Sequence, residues 1–133
     1  MTTIRAIHHL SLSVTDLGPS TEWYRQTLGF EVVAEVEGDG FRRNRMRSPG
    51  GVILTLTAHD RNEGEAFDER RTGMDHVSLA VGGDDEVVEW KHRFERLGVE
   101  HSDIKRLRPG AAMITLRDPD NIQLEVFGLT PET

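Results

Sequence analysis

Two stretches of this chain read as copies of one another. Ile7-His-His-Leu-Ser-Leu-Ser-Val14 and Met74-Asp-His-Val-Ser-Leu-Ala-Val81 both alternate polar and apolar residues, the pattern of a half-buried strand, and each carries a histidine, so that His9 falls on His76. A helical stretch follows each and ends in Leu-Gly-hydrophobe, Leu28-Gly29-Phe30 in one half and Leu97-Gly98-Val99 in the other. Each half closes on a matching strand, Val52-Ile-Leu-Thr-Leu-Thr57 against Ile122-Gln-Leu-Glu-Val-Phe127, which sets Thr55 on Glu125. The spacing between paired positions drifts by only a few residues from first strand to last. That is the mark of one supersecondary unit used twice, with small loop insertions, inside one domain.

The elements within each copy follow from local chemistry. The first helix is expected to start between Asp16 and Ser20, to bury Trp23, Tyr24 and Leu28, and to stop at Gly29. The second carries Asp84, Asp85 and Glu86 at its amino end, presents Val87, Trp90, Phe94 and Leu97 as one apolar stripe, and stops at Gly98. Three strands follow each helix: Glu31 to Glu37, Phe41 to Met46 and Val52 to Thr57, then Ser102 to Lys105, Ala111 to Arg117 and Ile122 to Phe127. Gly38-Asp-Gly40, Ser48-Pro-Gly-Gly51, Arg108-Pro-Gly110 and Asp118-Pro-Asp-Asn121 supply the turns. The expected class is α+β: two tandem βαβββ modules forming a curved mixed-sheet cup. One domain would span 1–133, with module one at about 5–58, a connection at about 59–73 and module two at about 74–128. The connection, His59 to Gly73, is charged and poor in apolar residues, so it is expected to be exposed and the most flexible segment.

Composition narrows the chemistry. The chain has no cysteine, which removes disulfides, thiolate ligands and cysteine nucleophiles together, so a metal would be held by imidazole and oxygen. A formal net charge of −7 without an extended basic face argues against nucleic-acid partners and anionic membranes. No apolar run approaches the ~18 residues of a membrane span, and the amino terminus lacks a secretory pattern; a cytoplasmic protein is expected.

Strand parity then selects a site. Successive side chains point to opposite faces, so if Leu10, Leu12 and Val14 pack under a helix, His9, Ser11 and Ser13 face away from it. The same rule turns Ile53, Thr55 and Thr57 away from the helix in module one, and His76, Ser78, Gln123, Glu125 and Phe127 in module two. Should the two sheets curve toward each other, these faces line one concavity containing two imidazoles and a carboxylate. Met113 on the penultimate strand is added to its lining. His9, His76 and Glu125 are the expected ligands of one divalent metal ion, with Fe(II), Mn, Ni, Co and Zn all compatible.

These residues resemble the vicinal oxygen chelate superfamily, which includes glyoxalases, bleomycin resistance proteins, extradiol dioxygenases and fosfomycin-modifying enzymes. The resemblance rests on His9-Leu-Ser-Leu-Ser-Val-Thr-Asp-Leu17, Ser20 with Trp23-Tyr24, Leu28-Gly29-Phe30, His76-Val-Ser-Leu-Ala-Val81 and Asp118-Pro-Asp-Asn-Ile-Gln-Leu-Glu125, in that order over nearly the whole chain. It implies metal ligation by His9, His76 and Glu125, a small-molecule substrate that chelates through vicinal oxygens, and a homodimer, in which a site can combine modules of two chains. Thr55 stands where glyoxalase-type members place a fourth ligand, so dioxygenase-like chemistry is favoured over a glyoxalase-like lyase or isomerase. A metal-free antibiotic- or metabolite-binding protein is the alternative.

Other features have plainer readings. His59 is the spare histidine expected near the site and the candidate catalytic group; His8, His92 and His101 are read as structural or surface residues. Trp23, Tyr24, Trp90 and Phe94 have helical spacing and are read as core. Arg42, Arg43, Arg45 and Arg47 are read as a sheet-edge run, solvated or paired with carboxylates, in preference to an anion site.

Overall fold

A computed structural model of the protein describes residues 1–131. The chain divides into two compact units, Met1–Glu65 and Ala66–Thr133. In the first, β1 (Leu10–Ser13) leads through α1 (Leu17–Leu28) to β2 (Glu31–Gly38), β3 (Phe41–Arg47) and β4 (Ile53–His59). The sheet order is β1-β4-β3-β2, with β1 parallel to β4 and the other pairs antiparallel. In the second, β5 (Val77–Val81), α2 (Asp84–Leu97), β6 (Lys105–Arg108), β7 (Ala111–Arg117) and β8 (Gln123–Leu129) give the order β5-β8-β7-β6 with the same sense of pairing. The repeat is therefore structural as well as sequential. Its registers agree residue for residue: Ser11 lies opposite Thr55, and Ser78 opposite Glu125.

Each helix covers one face of its own sheet. Along α1, Ser20, Tyr24, Thr27 and Leu28 are buried over Leu12, Val14, Met46, Leu54 and Leu56. Gly29 ends the helix at φ 77°, a left-handed conformation that costs a side-chain-bearing residue most. Asn44 fixes the helix further: its Nδ2 donates to Thr21 Oγ1 at 3.0 Å. Along α2, Val87 and Phe94 are fully buried over Ala112, Ile114, Leu116, Leu124 and Val126. Trp90 is half-buried. Leu97 departs from the expected stripe: it is the helix's last residue and 46% exposed, while Val99, folded back so that its N–H reaches the Phe94 carbonyl, is half-buried.

Several boundaries differ from expectation for identifiable reasons. β1 and β5 begin at Leu10 and Val77 rather than Ile7 and Met74. The registers with their parallel partners start at Leu10 opposite Leu54 and at Val77 opposite Leu124, one residue into β4 and β8. β6 runs over Lys105–Arg108 instead of Ser102 to Lys105, because His101 makes only an isolated bridge to Leu116 before the ladder resumes. The expected free connection at 59–73 is also shorter. His59 belongs to β4, and residues from Ala66 onward belong to the second unit, held by Phe67 N–H donating to the Asp120 carbonyl at 2.8 Å and by an Arg117–Glu69 ion pair at 2.7 Å. Arg117 holds the Glu69 carboxyl down at about 2, well below the usual carboxylate range. No described helix is long and apolar enough to cross a membrane.

The closest approach in module two joins β8 to the start of α2. A Cβ added at Gly128 would lie 2.2 Å from the Gly83 carbonyl oxygen and 2.7 Å from Val87. Backbone cannot yield as a flexible side chain does, so Gly128→Ala is expected to destabilise the protein by about 1–3 kcal/mol or more, as overpacking does. Urea unfolding monitored by circular dichroism measures this; an unchanged midpoint would refute the close approach.

Candidate metal centre

Glu125 occupies the middle of β8 on the face away from α2, because its neighbours Leu124 and Val126 are claimed by the core. In register it is flanked by Ser78 on β5 and Thr115 on β7, and only 8% of it is exposed. A carboxylate so far removed from water requires a partner. His76, immediately before β5, provides it: the imidazole Nε2 lies 3.3 Å from Glu125 Oε1. The other ring nitrogen, Nδ1, lies 2.7 Å from Asp75 Oδ1.

This arrangement has the composition of half a metal site. Asp75 fixes the imidazole by one nitrogen and directs the other at Glu125, as carboxylates behind metal-binding histidines do. Imidazole and carboxylate ligands sit about 2.0–2.2 Å from a divalent ion, so two of them adjacent on one ion lie about 3.0–3.4 Å apart. The observed 3.3 Å falls within that range, and the two residues fit the group. Among the described residues no three of the His, Asp and Glu side chains gather closely enough to hold an ion; His76 and Glu125 form a pair.

His9 occupies the equivalent position in module one, immediately before β1, exposed, with its Nδ1 2.9 Å from His8 Nδ1. The face beside it differs from that of module two. Thr55 replaces Glu125, and its neighbour across β3 is Arg45. In the next row Ser13, Thr57 and Arg43 lie side by side. Thr55 and Thr57 were expected on the open face; they do lie on the face away from the helix, yet both are buried, at 4% and 2% exposure. Arg43 accounts for Thr57, its Nε donating to Thr57 Oγ1 at 2.9 Å, and Ser11 Oγ lies 3.1 Å from the same hydroxyl. His9, Ser11, Ala34, Val36, Arg43, Arg45 and Thr55 line a pocket of about 280 Å³.

The remaining sequence-selected residues take mixed positions. Ser13 and Ile53 lie on the module-one face, exposed and half-buried respectively. His59, at the exposed end of β4, packs its ring near Phe41 at 6.1 Å. Met113 lies opposite Phe127, one row from Glu125, and Gln123 accepts a hydrogen bond from Arg117. Sequence reasoning passes over Asp75 and Thr115, and it groups Arg43 and Arg45 with Arg42 and Arg47 in one sheet-edge run. For the arginines a signal existed, since the apolar Met46 on their strand assigns the odd-numbered positions to the opposite face.

Asp75 raises the His76 pKa above 6.5 through its hydrogen bond, with Glu125 adding attraction and partial burial opposing. A raised folded value means that this contribution to stability is present below pH 6.5 and is lost as pH climbs through the folded pKa. Metal-free protein is therefore expected to show His76 titrating above 6.5 by NMR, with Asp75→Asn moving it downward. A titration that Asp75→Asn leaves unmoved would refute the assigned contact.

The model of the Glyoxalase/Bleomycin resistance protein/Dioxygenase superfamily matches residues 6–126. A solved glyoxylase/bleomycin resistance protein/dioxygenase domain from Frankia sp. EAN1pec is 30% identical, covering 97% of this chain and 100% of that one, with a TM-score of 0.88. The putative ring-cleaving dioxygenase MhqA of Bacillus subtilis (strain 168) is 26% identical over 128 residues; the match takes in 91% of this chain but only 39% of that protein. FosX, a fosfomycin resistance protein of Listeria monocytogenes solved with Mn(II) and sulfate, shares the fold at 21% identity, with 96% and 95% coverage and a TM-score of 0.69. That protein, of the same fold, was solved with a divalent metal bound. Two βαβββ modules, a matched repeat and a family model spanning both establish that the chain belongs to the Glyoxalase/Bleomycin resistance protein/Dioxygenase superfamily.

Proposed function

We propose that the protein is a metal-dependent enzyme that acts on a small molecule through two vicinal oxygens, with His9, His76 and Glu125 as the ligands of one divalent ion. The observation that carries this reading is the Asp75–His76–Glu125 geometry: a nitrogen and an oxygen 3.3 Å apart, with the imidazole held from behind. When bound, the ion supplies Lewis acidity to the paired substrate oxygens. The chain's own residues do the rest. Asp75 orients His76, Glu125 offsets positive charge, Ser78 and Thr115 flank it with hydroxyls, and Met113 with Phe127 forms an apolar row beside it.

Three protein ligands leave room for both a chelating substrate and an oxidant, and Thr55 lacks the donor strength of a fourth ligand. Dioxygenase-like chemistry is thereby preferred to a glyoxalase-like lyase or isomerase. Similarity to the putative ring-cleaving dioxygenase MhqA supports that preference. His59, a candidate catalytic group, shares the parity of Thr55 and Thr57 on β4. A cytoplasmic homodimer is part of the proposal: Ile4, Ile7 and Val33 are 94%, 85% and 56% exposed, apolar surface that a second copy would cover. In such a dimer His9 of one copy can serve beside His76 of another. A metal-free binding protein is the second reading, favoured by a module-one pocket built without any acidic residue.

Elemental analysis decides between them. Protein purified without chelator, or reconstituted with Fe(II), Mn, Ni, Co or Zn, is expected to hold about one metal per chain, and Glu125→Ala and His9→Ala to lose at least tenfold in metal affinity, in line with removal of a ligand or its support. Absence of micromolar uptake of every one of these metals would reject the enzyme reading.

A further inference from the structure

We infer that the helix-distal face of module one is an anion subsite in which Arg43 and Arg45 receive a carboxylate carried by the substrate. The link to a substrate rests on the metal-centre reading of His9, which lines the same pocket; the subsite itself rests on module one alone.

The strand register puts the two guanidinium groups there. Met46 is fully buried beneath α1, and Asn44 reaches up to Thr21, so the even positions of β3 belong to the helix side. Arg43 and Arg45 must then take the other side, beside Thr57 and Thr55. β3 is an interior strand, between β4 and β2, which removes the sheet-edge explanation of the arginine run. Pairing with carboxylates fails as an explanation too. Acidic residues outnumber basic ones in this chain, 23 to 16, and Arg25, Arg70, Arg106 and Arg117 each have an acidic partner. Among the described residues Arg43 and Arg45 have none. Two like charges two residues apart on one strand, about 7 Å between Cα atoms, repel each other, and an anion shared between them removes that cost.

The surroundings favour a small organic acid. Arg43 is already oriented, its Nε committed to Thr57 Oγ1 and its guanidinium 4.5 Å from the Phe41 ring centroid. Its terminal nitrogens have no partner among the described residues, and a planar fork of this kind suits a carboxylate. Ser11 and Thr55 add hydroxyls, while Ala34 and Val36 add apolar wall against which a carbon skeleton can lie. At about 280 Å³ the pocket falls just short of the usual ligand cavities, which run from about 300 Å³ upward, and so suits only a small ligand group. In module two the equivalent row is Ser78, Glu125 and Thr115, whereas here it is Ser11, Thr55 and Arg45: a hydroxyl stands in place of the acid and a cation in place of the hydroxyl beside it.

The test compares 3,4-dihydroxybenzoate with catechol, which share the chelating diol and differ by one carboxylate, by titration calorimetry on Mn(II)-loaded protein. Dihydroxybenzoate is expected to bind at least tenfold more tightly, with the advantage falling below threefold in Arg45→Gln, partly kept in Arg45→Lys, and metal content unchanged in both. Equal affinities in the unaltered protein, or a preference that survives in both Arg45→Gln and Arg43→Gln, overturn the subsite while leaving the metal centre intact. Should the protein take up no metal, benzoate against benzyl alcohol on the same protein replaces the pair: arginine-dependent benzoate binding upholds the subsite and rejects only the metal reading, and its absence overturns the subsite.

Discussion

The two-residue period of the β-strand is the constraint on which everything else in this protein depends. Each module has one helix, and one helix can cover only one face of a four-stranded sheet. The strands beneath it, β4 and β8 among them, therefore commit alternate side chains to that helix and leave the intervening ones on the opposite face. Leu54 and Leu56 are held in the core, so Thr55 and Thr57 cannot be; Leu124 and Val126 are held there, so Glu125 cannot be. A slip of one residue in the β8 ladder would bury Glu125 under a helix and turn Leu124 and Val126 outward; in β4 the same slip would put threonines in place of Leu54 and Leu56. That opposite face is thus positioned by the hydrophobic effect acting on its neighbours.

This indirect positioning explains why ionisable groups can sit in the sheet without undoing it. Glu125 is nearly buried, and its desolvation is offset locally by His76, itself held by Asp75. The histidines stand one residue outside their strands, before the first paired residues Leu10 and Val77, so their rings are not tied by the ladder. Helix ends contribute in the same way. Gly29 and Gly98 stop α1 and α2 in left-handed turns, and the chain returns to build the strands that carry Arg45 and Thr115.

Much of this was legible in the sequence because the repeat supplied a second copy of each pattern. The helices, β7 and the pairing of Thr55 with Glu125 follow directly from comparing the halves. What resisted was set by contacts between distant residues. β6 shifted because a bridge at His101 and a bulge between Arg106 and Arg108 break its ladder, neither of which leaves a local signature. Residues 66–71 looked like a free connection by composition, yet Arg117 lies far along the chain and captures Glu69. Asp75 was passed over because its importance lies in an imidazole nitrogen 2.7 Å away, and an acidic residue beside a histidine in sequence says nothing about ring orientation. The arginine run of β3 departs from the sheet-edge expectation because β3 lies between β4 and β2; Arg42, Arg45 and Arg47 are exposed as expected, and parity with Met46 separates Arg43 and Arg45 from Arg42.

Comparison of the two modules shows how one architecture can hold different chemistry at corresponding places. Both begin with a histidine just before the first strand, and both put a serine opposite the central residue of the last. They diverge at that central residue and at its neighbour: Glu125 with Thr115 in one, Thr55 with Arg45 in the other. Had module one kept a carboxylate at position 55, Arg45 beside it would form a neutral pair and neither group would be available to a ligand. Threonine removes that competitor while leaving a hydroxyl, and Arg43, braced by Thr57 and Phe41, doubles the positive charge. The absence of an acid and the presence of a base are therefore one difference in electrostatic terms. They reverse the sign of charge on the row, while the core aliphatic residues behind it stand in the same places in both modules.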